Sequence, residues 1–171
     1  AEENLNRIRA LITSKTRLVQ ISHITAPTGI VMPIKQIAQL CNQLRPDGEK
    51  IWFHVDGAQS VGQLNFKISE LGCDSFAASC HKWMVSPFET GFLWVSYTKL
   101  AQVWPVEIGA YCESKFALKP QLVFEYFDGA QRYEYGTRDA TKVQGIVHSV
   151  AFLQSIGMSN VEARFVFFLL V

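Results

Sequence analysis

The chain has 171 residues, a formal net charge of +1, 49% apolar and 18% charged residues, the make-up of a globular protein with one substantial core. So balanced a charge gives no electrostatic footing for nucleic acid or for an anionic membrane surface, and neither is expected as a partner. Cys41, Cys73, Cys80 and Cys112 are scattered with no C-x-x-C pair, so reduced core thiols are expected rather than a disulfide framework.

Residues 1–16 space Leu5, Ile8, Leu11 and Ile12 along one side of an amphipathic helix. They lack the apolar middle and the cleavage site of a signal peptide. No stretch nears the ~20 apolar residues that span a bilayer, and the longest apolar run is 165–171 (FVFFLLV). A cytoplasmic compartment is expected.

Residues 18–25 (LVQISHIT) predict a strand that ends at the loop signal Pro27-Thr28-Gly29. Residues 34–44 carry Ile34, Ile37, Ala38, Cys41 and Leu44 at helical spacing, stopped by Arg45-Pro46-Asp47-Gly48. Residues 51–56 (IWFHVD) form a second strand, a short helical turn closes at Leu71-Gly72, and 74–79 (DSFAAS) form a third strand. Residues 91–96 (GFLWVS) are a fourth, 101–135 are less regular and aromatic-rich, and 141–156 predict a helix stopped by Gly157. A further helix is expected from about Asn160.

Short, continuously apolar strands alternating with helices predict a three-layer α/β fold, a mostly parallel sheet flanked by helices. Such sheets bind ligands beyond the carboxyl ends of their strands. The positions to inspect are therefore 26–29, 56–59 and 79–82.

Asp56 ends an apolar strand and precedes Gly57-Ala58-Gln59. A carboxylate there could cap the following turn, bind a metal with His54, or pair with a cationic ring nitrogen. Ser79-Cys80-His81-Lys82 follows the third strand. Between Phe76-Ala77-Ala78 and Trp83-Met84-Val85, Lys82 has partly apolar neighbours, a setting that favours the neutral amine needed for a Schiff base. The 26-residue step from Asp56 to Lys82 is one strand–helix–strand unit, which puts both at the same edge of adjacent strands. That arrangement suits pyridoxal phosphate (PLP): a lysine for the aldehyde carbon, and a carboxylate to keep the pyridine nitrogen protonated. A hydrolase built on Ser79, His81 and Asp56 is a weaker reading, since no G-x-S-x-G elbow surrounds the serine.

The segment HVDGAQSVG, then Asp74-Ser75-Phe76, Ser79-Cys80-His81-Lys82 and Gly91-Phe92-Leu93-Trp94 resembles the class V aminotransferase family of fold-type I PLP enzymes. Residues 133–139 (YEYGTRD) resemble the E-x-G-T-R-D segment of its isopenicillin N epimerase-like and cysteine C–S lyase branch. The resemblance runs from about Leu18 to about Ile156. It implies the large-domain portion of the PLP-dependent transferase fold, a small amino-acid substrate, PLP as cofactor and no metal. Lys82 would be the Schiff-base lysine, Asp56 the partner of the pyridine nitrogen and Gln59 a contact to the ring hydroxyl. Ser79 and His81 would touch the phosphate, and Thr137 would reach the phosphate of a neighbouring subunit, which implies a homodimer.

Two departures bear on function. Cysteine desulfurases place an asparagine where this chain has Ala26, so the chemistry leans to C–S lyase or epimerase-like, with aminotransferase or desulfurase as the alternative. Family members are also considerably longer. The chain is expected to be part of the large domain, without the N-terminal phosphate-binding part or the C-terminal small domain. A further alternative is a catalytically inactive relative serving as a binding or dimerisation module.

Overall fold

The structure, a computed structural model, describes residues 2–43 and 51–169. Helix α1 (Glu2–Leu11) precedes β1 (Leu18–Ser22), α2 (Ile34–Gln43), β2 (Trp52–Asp56), β3 (Ser75–Ser79) and β4 (Gly91–Val95). Then come β5 (Glu113–Ala117), β6 (Val123–Tyr126), α3 (Ala140–Ile156) and α4 (Met158–Leu169). The stop expected at Arg45-Pro46-Asp47-Gly48, and Leu44 before it, lie outside the described residues. None of the described helices is long and apolar enough to cross a membrane.

The first four strands form one sheet in the order β1-β2-β3-β4. Strands β1, β2 and β3 are mutually parallel, with Ser22 opposite Asp56 and Asp56 opposite Ala77. Phe53 and Val55 are fully buried while Trp52, His54 and Asp56 are half-buried, as befits a strand covered on both faces. Ile34, Ile37, Ala38 and Cys41 of α2 join Phe53, Val55, Phe76 and Ala78 in the core. Each large side chain so buried contributes about 1.5–3 kcal/mol. Leu5, Ile8 and Ile12 pack on the same core, but Leu11 is 79% exposed. At 100° per residue Leu11 falls well off the stripe that the other three share.

The polar punctuation sets the strand ends. Asp74 turns its carboxylate back onto the Phe53 N–H (2.9 Å), so β3 begins one residue later than expected. Past Ser22 the chain still donates from His23 N–H to the Asp56 carbonyl (2.8 Å), then closes on itself through the Ile24–Val31 bridge. Gly29, at φ +67°, donates to the Thr25 carbonyl (2.8 Å) and tightens that loop.

One expected feature is absent from its place. The connection from β2 to β3 contains no α-helix. It runs through successive turns over 58–63 and a 3₁₀ turn, Ile68–Glu70. Gly62 adopts φ +88° there, and a Cβ on it would come within 2.5 Å of the Trp83 carbonyl. That left-handed residue diverts the chain before a helix can propagate.

The chain divides into two compact units, Ala1–Trp94 with Thr141–Val171, and Val95–Ala140. In the second unit β5 and β6 pair as an antiparallel hairpin, irregular between Glu113 and Lys115. The Tyr133 hydroxyl donates to the Val103 carbonyl (2.9 Å), and Trp104, Phe124 and Tyr126 meet edge to face. In the first unit, Cys80, Met84 and Leu153 form a small cluster with Ile146, Met158 and Val161, joining the loop after β3 to α3 and α4.

Candidate active site

Asp56 is the last residue of β2, and Lys82 stands three residues beyond the end of β3. Because β2 and β3 run parallel, both lie off the carboxyl edge of the sheet, where such sheets place ligands. The Asp56 carboxylate is held on both oxygens. Oδ1 accepts the Ala58 N–H (2.9 Å), closing an Asx turn, and Oδ2 accepts the Ser22 hydroxyl (3.3 Å) from the next strand. The local-capping role open to Asp56 is thus present, and the carboxylate is still half-buried at the strand end.

Gly57 makes this corner possible. A Cβ at that position would sit 1.9 Å from Cζ of Phe76, so the phenyl ring of β3 packs directly on the backbone that follows Asp56.

Lys82 is exposed, as is Trp83, although Met84 and Cys80 are buried. The partly apolar setting suggested by its sequence neighbours is therefore supplied beneath the turn rather than around the amine. The turn itself is firmly held. Val85 donates to the Lys82 carbonyl (3.0 Å) at φ +57°, a costly conformation for a β-branched residue. The Ser149 hydroxyl of α3 lies 3.1 Å from the Val85 carbonyl and 2.9 Å from that of Gly145, which share its one proton. Gly145 lets Pro87 approach to where a Cβ would be 2.3 Å from its ring, and Lys142 pairs with Glu89.

Gln59 lies in the turn after Asp56, and its Oε1 accepts the indole N–H of Trp83 (2.8 Å). The residue beside Lys82 is thereby tied to the residue three after Asp56. His81 is half-buried with Nδ1 3.4 Å from the Thr90 carbonyl. A carbonyl only accepts, so Nδ1 carries the proton and Nε2 is the nitrogen left over. Ser79 is half-buried at the end of β3. No hydrogen bond joins Ser79 to His81 among the described residues. Thr137 belongs to the second unit and is exposed. Its carbonyl accepts from the Arg138 guanidinium (3.3 Å), which also stacks 3.4 Å from the Tyr135 ring.

The metal reading pairs His54 with Asp56. His54 does face the same way as Asp56, but its Nδ1 is engaged with the Ser75 hydroxyl (2.7 Å), which also takes the Trp52 indole N–H (2.8 Å). Burial lowers the His54 pKa, against an opposing pull from the Asp56 carboxylate. Among the described residues no three His, Cys, Asp or Glu side chains gather.

Three residues here escaped the sequence reading: Ser22, which only the β1–β2 register reveals, Trp83, and His23. His23 is buried, edge-on to Phe66 at 4.8 Å, with Nδ1 lacking a partner among the described residues. Burial pushes its pKa down to about 4. A cleft of about 290 Å³ opens where the three loops meet, lined by Thr25, Ala26, Gln59, Trp83 and Phe165.

A mostly parallel sheet with a lysine, a carboxylate and a carboxamide off its carboxyl edge defines an α/β protein. Residues 2–165 match the aminotransferase class-V family, and the chain belongs to that family. It is 31% identical over 159 residues to isopenicillin N epimerase of Streptomyces clavuligerus, across 91% of this chain and 39% of that protein. It is 30% identical over 155 residues to a probable cysteine desulfurase of Halalkalibacterium halodurans, across 91% and 36%. Among solved structures it resembles the cystine C–S lyase C-DES in complex with cysteine persulfide, at TM-score 0.80 and 27% identity over 90% of this chain and 40% of that one. A C-DES mutant with glycine covalently linked to its PLP cofactor superposes at TM-score 0.78 and 28% identity, over 92% and 40%. The chain thus spans about two fifths of the length of the relatives it matches. The α/β fold with its mostly parallel sheet is that of these neighbours.

Proposed function

We propose that this chain carries the lysine-bearing part of a PLP-dependent enzyme acting on a small amino acid, with C–S lyase or epimerase-like chemistry. The observation that supports the reading is that Asp56 ends β2 and Lys82 follows β3, its parallel neighbour, with Gln59 bonded to Trp83 beside Lys82. The donor set fits the cofactor: one primary amine, one carboxylate already oriented by two hydrogen bonds, and one carboxamide. PLP, when bound, supplies an electron sink for the substrate.

In this reading Lys82 provides the amine that links to the cofactor, and Asp56 holds the proton on the pyridine nitrogen. Gln59 donates to the ring oxygen. Ser79, with its hydroxyl, and His81 serve the phosphate. Thr137 reaches the phosphate of a second subunit, so the working form is a homodimer. Ala26, in place of the asparagine of desulfurases, favours the lyase or epimerase-like branch over desulfurase or aminotransferase. The reading needs no metal, and a cytoplasmic location agrees with it.

The test is to incubate the purified protein with PLP, reduce with borohydride and map the label by mass spectrometry. One pyridoxyl group on Lys82 is expected, and its loss in Lys82→Arg. Label scattered over surface lysines, or no label, would instead identify an inactive relative whose role is binding or dimerisation.

A further inference from the structure

Trp83 holds Gln59 in one of its two amide orientations. An indole N–H can only donate, so the Gln59 atom 2.8 Å away is the carboxamide oxygen. The amide NH₂ is then the end left to face a ligand, and among the described residues it has no partner. Without the indole, Gln59 could as readily present its oxygen, which would repel an anionic ligand atom.

The indole is itself fixed. Its ring meets Phe165 of α4 edge-on at 5.1 Å. Its backbone lies against Gly62, where any Cβ would come within 2.5 Å of the Trp83 carbonyl. The turn that carries Lys82 therefore also dictates which end of Gln59 is offered.

Resting on the PLP reading above, we infer that Trp83 is a positioning residue: it orients Gln59 so that the amide NH₂ donates to the phenolic oxygen of the cofactor. A donor at that oxygen draws charge from the atom that shares a proton with the lysine-derived nitrogen. The shared proton then leaves at lower pH than it would without the donor.

The readout is the pH titration of the visible absorbance of the PLP-loaded protein, which is independent of turnover. Trp83→Phe keeps an aromatic ring against Phe165 and removes the N–H. It is expected to raise the titration midpoint by about one pH unit, the size of one hydrogen bond to a charged oxygen. Gln59→Leu should raise it as much, and the double variant no further, because both lesions remove the same bond. Benzothienylalanine at position 83 keeps the indole shape without the N–H and replaces the phenylalanine variant if that variant fails to fold. A normal midpoint in the position-83 variant beside a shifted one in Gln59→Leu overturns the inference alone, as do additive shifts. Absence of any lysine-linked absorbance in the unmodified protein overturns the PLP reading and this inference with it.

Discussion

His23 shows how one buried side chain can set the acid limit of the molecule. It lies where β1 hands over to its loop, 6% exposed, with its backbone N–H on the carbonyl of Asp56. Its imidazole titrates near 4 when folded because burial disfavours the charge, against about 6.5 when unfolded. Between those values the unfolded chain binds more protons, so stability is fully present above about pH 6.5 and falls as the pH drops toward 4. The difference amounts to about 3 kcal/mol. Urea unfolding at pH 7 and at pH 4.5 should show this acid loss in the native protein and its reduction in His23→Gln; an equal loss in both would assign the acid sensitivity to other groups. The strand-end position of Asp56 was legible because an apolar run ends there in a carboxylate followed by glycine, and that of Lys82 because the run 74–79 gives way to Cys80-His81-Lys82. The part played by Trp83 was not. Its bond to Gln59 crosses 24 positions and exists only once β2 and β3 are in register.

At the scale of elements, glycines govern how closely the loops approach the sheet. Gly57→Ala would drive a methyl group into the Phe76 ring and should cost about 1–3 kcal/mol by thermal unfolding. Adding Phe76→Leu should recover part of that loss, because the colliding atoms are the far end of that ring. Equal stability of Gly57→Ala and the native protein would show that the corner is looser than drawn. The four strands of the main sheet were readable because their apolar runs are compact and sharply bounded. The 3₁₀ turn Ile68–Glu70 is the short helical turn expected to close at Leu71-Gly72, but the turns over 58–63 were not readable, since the need for glycine at 62 comes from the backbone of Trp83 far along the chain. The β5–β6 hairpin was hidden for another reason. Glu113, Lys115 and Glu125 sit within its strands, and its residues are half-buried or exposed, so no alternation of buried and wet positions marks it.

Over the whole molecule, the four cysteines report on its integrity. All are free and buried, on α2, after the Ile68–Glu70 turn, after β3 and before β5. Burial pushes Cys41 and Cys73 up to about 11, so little thiolate is available at pH 8. A chromogenic disulfide reagent should find no fast-reacting thiol in the native protein and four in denaturant; a fast native reaction would locate an opening in the core. The division of the chain into two units is less visible in sequence, because the first unit is built from two separate stretches and no linker composition marks the joins.

That discontinuity has a consequence for synthesis on the ribosome. The turn bearing Lys82 emerges early, but the hydroxyl that holds Val85 comes from Ser149, 64 residues later. Until α3 has been made, the lysine turn lacks that contact, although β1 to β4 have already been synthesised. The lysine turn therefore gains this contact only after the whole second unit has left the tunnel. A circularly permuted chain that delivers α3 first would reverse that order while keeping the same contacts.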